Sequence, residues 1–241
     1  MNDRIVENVP LAPAVYRLIL ARNTEGLTAP GQFVQLRLPG FYLRRPISVC
    51  DWDKKSLTLI YKVVGQGTDA LSRMKPGETL DALIGLGNGF DVTEADNYPL
   101  VIGGGVGAPP LYGLTKALLA AGKKPTVILG FNTEKEAFLL DEFRSLGVET
   151  ILTTADGSAG LRGFVTDAMA ADDPRYVFAC GPLPMLKAVC KKSTCPSGQY
   201  SLEERMACGF GACMGCTIQT NFGPRRVCKD GPVFRKEGLP W

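Results

Sequence analysis

Four cysteines near the C-terminal end constrain the fold of this chain more than any other feature. They are spaced C-x4-C-x2-C, with eleven further residues before the fourth. Small residues fill much of the loop, and glycine allows the sharp bends that point backbone N–H groups at sulfur. This spacing is typical of loops that wrap two irons and two sulfides, a [2Fe–2S] cluster. The predicted ligands are Cys208, Cys213, Cys216 and Cys228.

Two other uses of these cysteines stay open. A structural zinc site usually pairs two CxxC knuckles, whereas only Cys213 and Cys216 have that spacing here. Disulfides need an oxidising compartment, and nothing in the sequence indicates one. The iron–sulfur cluster is therefore the prediction, ahead of zinc and of free or paired thiols. A redox centre with no substrate pocket of its own implies an electron relay.

Composition excludes several classes of function. The 241 residues suit about two domains, and 45% of them are hydrophobic. A net charge of +3 without long basic runs argues against nucleic acid as a partner. Neither a signal peptide nor a membrane-spanning run of about 18 apolar residues occurs, so we expect a cytoplasmic protein. Histidine is absent, which excludes Ser–His–Asp chemistry and histidine-ligated zinc.

The residue pattern divides the chain into three sections. Residues 1–97 contain alternating apolar and polar runs, as in Phe33–Leu38 and Leu57–Val63, which predict an antiparallel β-barrel. Residues 98–200 alternate strands with helices, which predicts a parallel α/β domain. Residues 201–241 form a small Cys- and Gly-rich subdomain that carries the cluster.

Two loops in the first section have features of a dinucleotide site. Arg45 offers a two-pronged guanidinium for a pyrophosphate, and the Ser48 hydroxyl can reach a flavin ring edge. Gly67 and Thr68 come directly before a short predicted helix, Asp69–Met74, whose N-terminus attracts phosphate. Each loop also has a purely structural interpretation, because Arg45 can be a solvated surface residue and Thr68 an ordinary helix cap.

A third loop, residues 105–110, follows the strand Leu100–Ile102 and precedes a predicted helix. Gly105 and Gly107 match the first two glycines of the phosphate-binding pattern G-x-G-x-x-G, and Pro110 replaces the third. Proline fits the first turn of a helix, so the helix N-terminus can still face a phosphate. We therefore predict a nucleotide site here, with a structural glycine-rich turn as the alternative.

Five short motifs follow one another along the chain. They are Pro30-Gly31-Gln32-Phe33, Arg45-Pro46-Ile47-Ser48, Gly67-Thr68, Gly85-Leu86-Gly87-Asn88-Gly89-Phe90 and Cys180-Gly181-Pro182. In this order they resemble the ferredoxin–NADP reductase superfamily. The tail is more specific: Ser201–Cys216 and Val227–Phe234 are similar to electron-transfer subunits of NAD-dependent (class 1B) dihydroorotate dehydrogenases. Together the two resemblances cover nearly the whole chain.

The resemblance implies which residues bind each cofactor. Ile47 stands where the superfamily usually has Tyr, so aromatic stacking on the flavin from this position is lost. Cys180 would lie near the nicotinamide–flavin stack as a candidate catalytic residue, or would simply end a buried strand. The cluster would be bound by the four late cysteines, FAD by Arg45, Pro46, Ile47, Ser48, Ile60, Tyr61, Lys62, Gly67 and Thr68, and NAD by Gly105, Gly107 and Gly181.

The resemblance also implies a partner and a reaction. An FMN-containing catalytic subunit would oxidise dihydroorotate in pyrimidine (UMP) biosynthesis, within a heterotetramer of two copies of each chain. Electrons would cross the cluster singly to FAD, which would pass a hydride to NAD+. Phe131–Glu136 carries two acids and one Lys, which on balance repel a 2′-phosphate and favour NAD over NADP.

Two alternative functions stay open. One is the flavin and iron–sulfur small subunit of a ferredoxin–NADP or sulfide oxidoreductase. The other belongs to a different class, a non-enzymatic nucleotide-binding module with a structural zinc tail.

Overall fold

The computed structural model describes residues 3–241, and its first section is a closed antiparallel barrel of six strands. Apolar side chains at alternate positions fill the interior, among them Val34, Leu36, Leu57 and Leu59. The strands neighbour one another in the order β1-β2-β5-β4-β3-β6, which confirms the predicted barrel. Their bounds are Asp3–Ala12 (β1), Val15–Ala21 (β2), Phe33–Arg37 (β3), Arg45–Trp52 (β4), Ser56–Lys62 (β5) and Thr79–Leu86 (β6).

A short helix, Gln66–Ser72 (α1), connects the fifth and sixth barrel strands. Its first turn is fixed by Thr68, whose Oγ1 accepts hydrogen bonds from the backbone N–H groups of Val64 and Gly65, at 2.9 and 3.3 Å. Thr68 is therefore a structural cap of this helix, as one of the two interpretations from sequence expected.

The second section is the predicted parallel α/β sheet. Its strands are nearly continuous apolar runs, because helices cover both faces. The sheet has the order β10-β9-β8-β7-β11-β12-β15, and its last strand comes from the C-terminal section. The bounds are Leu100–Gly104 (β7), Ala108–Ala120 (α2), Thr126–Phe131 (β8), Leu140–Ser145 (α3), Glu149–Thr154 (β9), Leu161–Arg162 (β10), Val177–Cys180 (β11), Leu183–Lys192 (α4) and Gly198–Ser201 (β12).

The C-terminal section contains a hairpin, one turn of helix and a final strand, with bounds Thr217–Thr220 (β13), Gly223–Arg226 (β14), Val227–Asp230 (α5) and Val233–Arg235 (β15). Strand β15 pairs antiparallel with β12. The Asn88 side chain, at the end of the barrel section, forms two hydrogen bonds with the backbone of Val233, as a neighbouring strand would. Its Nδ2 donates to the Val233 carbonyl at 2.8 Å, and its Oδ1 accepts from the Val233 N–H at 3.0 Å. The cysteine-rich section is thus joined to both others.

The barrel and the sheet pack directly against each other through helix α2 and strand β4. Gly113 makes this possible, since a Cβ there would lie 2.8 Å from the Cys50 carbonyl oxygen. Beside it, Lys116 donates to both carboxylate oxygens of Asp51, at 2.8 and 2.6 Å. Within residues 3–241, no helix is sufficiently long and apolar to cross a bilayer.

Candidate functional site

A cavity of about 600 Å3 lies where the barrel meets the carboxyl ends of the parallel strands. Ligands of open α/β sheets bind at this edge, because the loops that follow the strands converge there. Ser48 of β4 and Lys62 of β5 line it from the barrel. From the sheet come both predicted loops, the βα turn after β7 and the turn after β11. Six predicted site residues therefore share one cavity: Ser48, Lys62, Gly105, Gly107, Cys180 and Gly181.

The remaining predicted FAD residues divide between two faces of the barrel wall, because side chains alternate along a strand. The Tyr61 side chain points into the barrel, where its hydroxyl donates to Asn8 Oδ1 at 2.9 Å. Ile47 also packs against the barrel core, whereas Ile60 packs toward the α/β domain. The backbone of Tyr61, and not its side chain, is thus positioned for a cofactor outside the barrel.

Arg45 and Gly67 lie in contact at the start of α1. A Cβ placed on Gly67 would overlap the Arg45 guanidinium, so glycine leaves the space that this side chain occupies. The Arg45 guanidinium carbon also lies 5.0 Å from the centre of the Phe41 ring, and Nη1 donates to the Leu43 carbonyl. A guanidinium held beside the N-terminus of a helix fits the pyrophosphate of FAD.

The turns after β7 and β11 touch each other at Gly107. A Cβ at Gly107 would overlap the Cys180 carbonyl oxygen and lie 2.6 Å from the Cα of Gly181. Gly105 differs, because it adopts a left-handed φ of +53° and a Cβ there would meet no described atom within 4 Å. The turn thus presents its backbone to open space, which fits the close approach of a phosphate.

Cys180 ends β11 with its thiol in a desolvated position. Burial raises its pKa to about 12, while a hydrogen bond with Ser201 opposes the shift. The thiol is therefore protonated at neutral pH and is not an anionic nucleophile. Ser201 and Glu203 line the same cavity, and Glu203 lies five residues before the first of the four late cysteines.

The loops after the other strands complete the cavity. Asn132 and Glu136 follow β8, and Asn132 Nδ2 donates to Glu136 Oε2 at 3.0 Å. Phe164, Thr166 and Met185 also line the cavity and were not predicted from sequence. The signal that would have found them is topological, since each follows a parallel strand at the edge where ligands bind.

The four late cysteines form two close pairs. The Cys213 N–H approaches the Cys208 sulfur at 3.5 Å, and the Cys228 N–H approaches the Cys216 sulfur at 3.4 Å. Cys216 and Cys228 are buried, whereas Cys213 is exposed. Cys208 also acts electrostatically on Cys228, so the two pairs are neighbours, and the exposed Cys213 lies at the edge that faces solvent.

The backbone of the loop prepares Cys208 to be a thiolate. Burial alone would raise its pKa, but N–H groups of Cys213, Phe210 and Ala212 outweigh that effect and lower the pKa to about 6. In contrast, burial and the adjacent Cys216 raise the pKa of Cys228 to about 12. Bringing a second thiolate into this site therefore requires a positive partner, which metal ions supply.

This arrangement fits a [2Fe–2S] cluster, which needs two cysteines at each iron. The pairs Cys208–Cys213 and Cys216–Cys228 would supply that division.

Comparisons with known proteins identify the family of this chain. Residues 203–239 match the family model "Iron-sulfur cluster binding domain of dihydroorotate dehydrogenase B", and residues 101–191 match "Oxidoreductase NAD-binding domain". Two curated relatives carry the name "Dihydroorotate dehydrogenase B (NAD(+)), electron transfer subunit". The protein from Geobacillus sp. (strain WCH70) is 43% identical over 96% of this chain and 95% of its own. The protein from Listeria monocytogenes serotype 4a (strain HCC23) is 40% identical over 97% of this chain and 96% of its own.

Solved structures share the fold. One, from a study of flavin-based electron bifurcation by NADH-dependent reduced ferredoxin-NADP oxidoreductase, has a TM-score of 0.89 and 33% identity. It covers 99% of this chain and 90% of that chain. A ferredoxin NADP+ reductase from Neisseria gonorrhoeae, with bound FAD and NADP, has a TM-score of 0.69 and 15% identity. It covers 80% of this chain and 89% of its own, and at this identity it supports the fold alone. The chain belongs to the family of electron transfer subunits of dihydroorotate dehydrogenase B (NAD(+)).

Proposed function

We propose that this chain carries electrons between a [2Fe–2S] cluster, FAD and NAD, on behalf of a partner subunit that oxidises dihydroorotate. The observation that carries the proposal is the continuity of the site. One cavity joins barrel strands β4 and β5 to the nucleotide turns, and its wall at Ser201 and Glu203 leads directly into the cysteine loop. Family membership supports the same reaction and its place in pyrimidine synthesis.

The barrel residues would hold the flavin. Arg45, with Gly67 and Thr68 at the start of α1, would bind the FAD pyrophosphate, and Ser48 and Lys62 would contact the ring system from the cavity wall. Pro46, Ile47, Ile60 and Tyr61 would provide backbone and packing contacts beside it. When bound, FAD exchanges electrons both singly and in pairs, which links a one-electron cluster to a hydride carrier.

The sheet residues would hold NAD against that flavin. Gly105 and Gly107 would present backbone N–H groups to its phosphates, and Gly181 would let the chain pass close to the nicotinamide. Cys180, as a neutral thiol, would pack at the nicotinamide–flavin contact without donating charge. Glu136 at the cavity wall would repel a 2′-phosphate, which favours NAD over NADP.

The partner would dock where electrons enter. Cys213 is exposed, and Phe210 and Met214 beside it expose 58% and 55% of their surface. Exposed apolar side chains around a redox centre fit the core of an interface. We propose an FMN-containing catalytic subunit there, in a heterotetramer of two copies of each chain. A cytoplasmic location, expected from the sequence, is also part of the proposal.

Analysis of anaerobically purified protein tests this function. We expect about two irons, two acid-labile sulfides and one FAD per chain, and co-purification with a flavin-containing dehydrogenase subunit. Cys216→Ser should abolish the cluster signal in electron paramagnetic resonance (EPR), because Cys216 belongs to a ligand pair. Cys195→Ser is the matched control and should keep it. Stoichiometric zinc with no sulfide would contradict the proposal and favour the structural zinc tail.

A second candidate function deserves a direct test because of one observation. The 33% identical structure with a TM-score of 0.89 comes from work on NADH-dependent reduced ferredoxin-NADP oxidoreductase. Under that alternative, the chain would co-purify with a large two-flavin subunit and take part in electron transfer between ferredoxin and NADP. Under our proposal, the complex reduces NAD+ with dihydroorotate. The 43% identity to the Geobacillus subunit favours our proposal, the reduction of NAD+ with dihydroorotate.

A further inference from the structure

Gln35 has a buried polar side chain, and none of the roles described so far involves it. It lies on β3, opposite Pro46 of β4, and its exposed surface is 0%. Neither its amide nitrogen nor its amide oxygen has a hydrogen-bond partner among the described residues. A buried amide without partners costs free energy, so such groups normally face a ligand, an ion or water that completes them.

The side chain leaves the barrel on the side of the cysteine loop. Val34 and Leu36 face the barrel interior, so the alternation of the strand sends Phe33 and Gln35 outward. Phe33 packs in the same apolar cluster as Cys216 and Cys228. The outer face of β3 is thus covered by the section that carries the four cysteines.

Gln35 touches this loop beside its first cysteine. A Cβ placed on Gly209, the residue after Cys208, would lie 2.6 Å from Gln35 Nε2 and 2.7 Å from its Cγ. Gly209 has a left-handed φ of +79°, so glycine gives the turn both its conformation and the space for the amide. The strand is held there because Arg44 donates to the Gln35 carbonyl at 3.2 Å while it also pairs with Asp81.

We infer that Gln35 donates an amide hydrogen bond to sulfur of the iron–sulfur centre on its Cys208 side, and thereby raises the reduction potential of the centre. The inference rests on the proposed cluster. An amide NH2 has two donors, and thiolate and sulfide sulfur accept them. Reduction adds negative charge to the cluster, so a donor at this position stabilises the reduced form more than the oxidised form.

Gln35 also lies between the segment that we assign to FAD and the cysteine loop. Its strand pairs with the segment Arg45–Ser48, which we assign to FAD, and its amide reaches the cysteine loop. A residue at this place sets the driving force for each electron that crosses from cluster to flavin. It acts on the potential of the centre without being one of its ligands.

The test is a redox titration of the intact protein, followed by EPR, on Gln35→Leu and Gln35→Met. Both variants keep the apolar volume and remove the donors. We expect the cluster midpoint potential to fall in both, and the g values of the reduced cluster to shift, with iron and sulfide content at wild-type level. Gln199→Leu is the matched control, since Gln199 is 2% exposed but donates to the Asp91 carbonyl at 2.9 Å.

The outcomes separate this inference from the proposed function. A wild-type cluster signal with unchanged potential and g values in both Gln35 variants would overturn the inference and leave the proposed function standing. A shift of the FAD potential alone would also overturn it, because the amide would then serve the flavin. If the wild-type protein itself has no cluster signal after reduction by dithionite, the proposed function fails.

Discussion

Arg44 and Arg45 are adjacent but have different tasks. Arg44 forms a two-pronged ion pair with Asp81, whose carboxylate oxygens lie 3.1 and 2.6 Å from its two terminal nitrogens. Arg45 instead packs against Gly67 at the start of α1, where our proposal puts the pyrophosphate of FAD. One arginine therefore ties the barrel together, and the other is available to a ligand.

Arg45→Leu should weaken FAD binding by about 10- to 100-fold, because hydrogen bonds to a charged group contribute about 1.5–3 kcal/mol. Gly67→Ala should act in the same direction, since its Cβ displaces the Arg45 side chain. Flavin fluorescence during titration of the FAD-free protein measures this. Arg44→Leu is the control and should lower the unfolding temperature with less effect on FAD affinity. Equal FAD affinity in the Arg45 variant and wild type would refute the assignment.

Gly107 tests the contact between the two nucleotide turns. Gly107→Ala should destabilise the protein by about 1–3 kcal/mol, because its Cβ would overlap the Cys180 carbonyl oxygen. It should also raise the KM for NADH, since the turns must separate. Gly122→Ala is the control: Gly122 has φ of +77° but no described atom within 4 Å of a Cβ, so it should cost stability alone. Equal KM in the two variants would contradict a nucleotide role for Gly107.

At the scale of elements, our proposal makes the loop after β8 responsible for the choice between NAD and NADP. Glu136 and Asn132 form one hydrogen-bonded unit at the cavity wall. Glu136→Gln should raise kcat/KM for NADPH by about tenfold with a smaller effect for NADH, because it removes one charge near the expected 2′-phosphate. Glu142→Gln is the control, since Glu142 lies on α3 outside this cavity. A parallel change for both nucleotides would contradict the assignment.

Strand β15 attaches the cluster section to the rest of the molecule. Asn88 completes both backbone groups of Val233, so Asn88→Leu should cost at least about 2 kcal/mol of unfolding free energy. Asn88→Asp keeps the acceptor and loses the donor, and should cost less. Urea unfolding measures both. Equal stability of wild type and the leucine variant would mean that this bridge is dispensable.

At the scale of the whole molecule, the ion pair between Asp173 and Arg175 contributes stability that is lost in acid. The Arg175 guanidinium, which donates to Asp173, lowers the pKa of that carboxyl below its usual value. A carboxyl whose pKa is lower in the folded state stabilises the protein at pH values above its unfolded pKa of about 3.9. This stabilisation is lost as the pH falls through the folded-state pKa. Asp173→Asn should therefore cost about 1–2 kcal/mol at pH 7, with a smaller difference below pH 4. A difference independent of pH would contradict this.

Local sequence pattern was sufficient for much of the architecture. Alternation in Phe33–Leu38 and Leu57–Val63 predicted barrel strands, and the apolar run at Leu100–Ile102 predicted a buried parallel strand, both as observed. These patterns report local geometry, because side chains alternate along every strand. The cysteine spacing belongs to the same class of signal, since a short loop fixes which thiols can meet.

Long-range pairing was the part that pattern did not reveal. The antiparallel addition of β15 to the parallel sheet depends on residues far apart in the chain. Gln35 appears as an ordinary outward polar position in its strand, and only packing of the cysteine loop buries it. Phe164 and Met185 reach the cavity because strand ends converge, which depends on sheet order.

The most direct test of the account is to mix the anaerobic oxidised protein with NADH and freeze samples at successive times for optical and EPR spectra. The account predicts that flavin absorbance bleaches first, and that the EPR signal of a reduced [2Fe–2S] cluster then grows in the same chain. The account would be contradicted if the flavin bleached but no EPR signal of a cluster appeared, either after NADH or after dithionite.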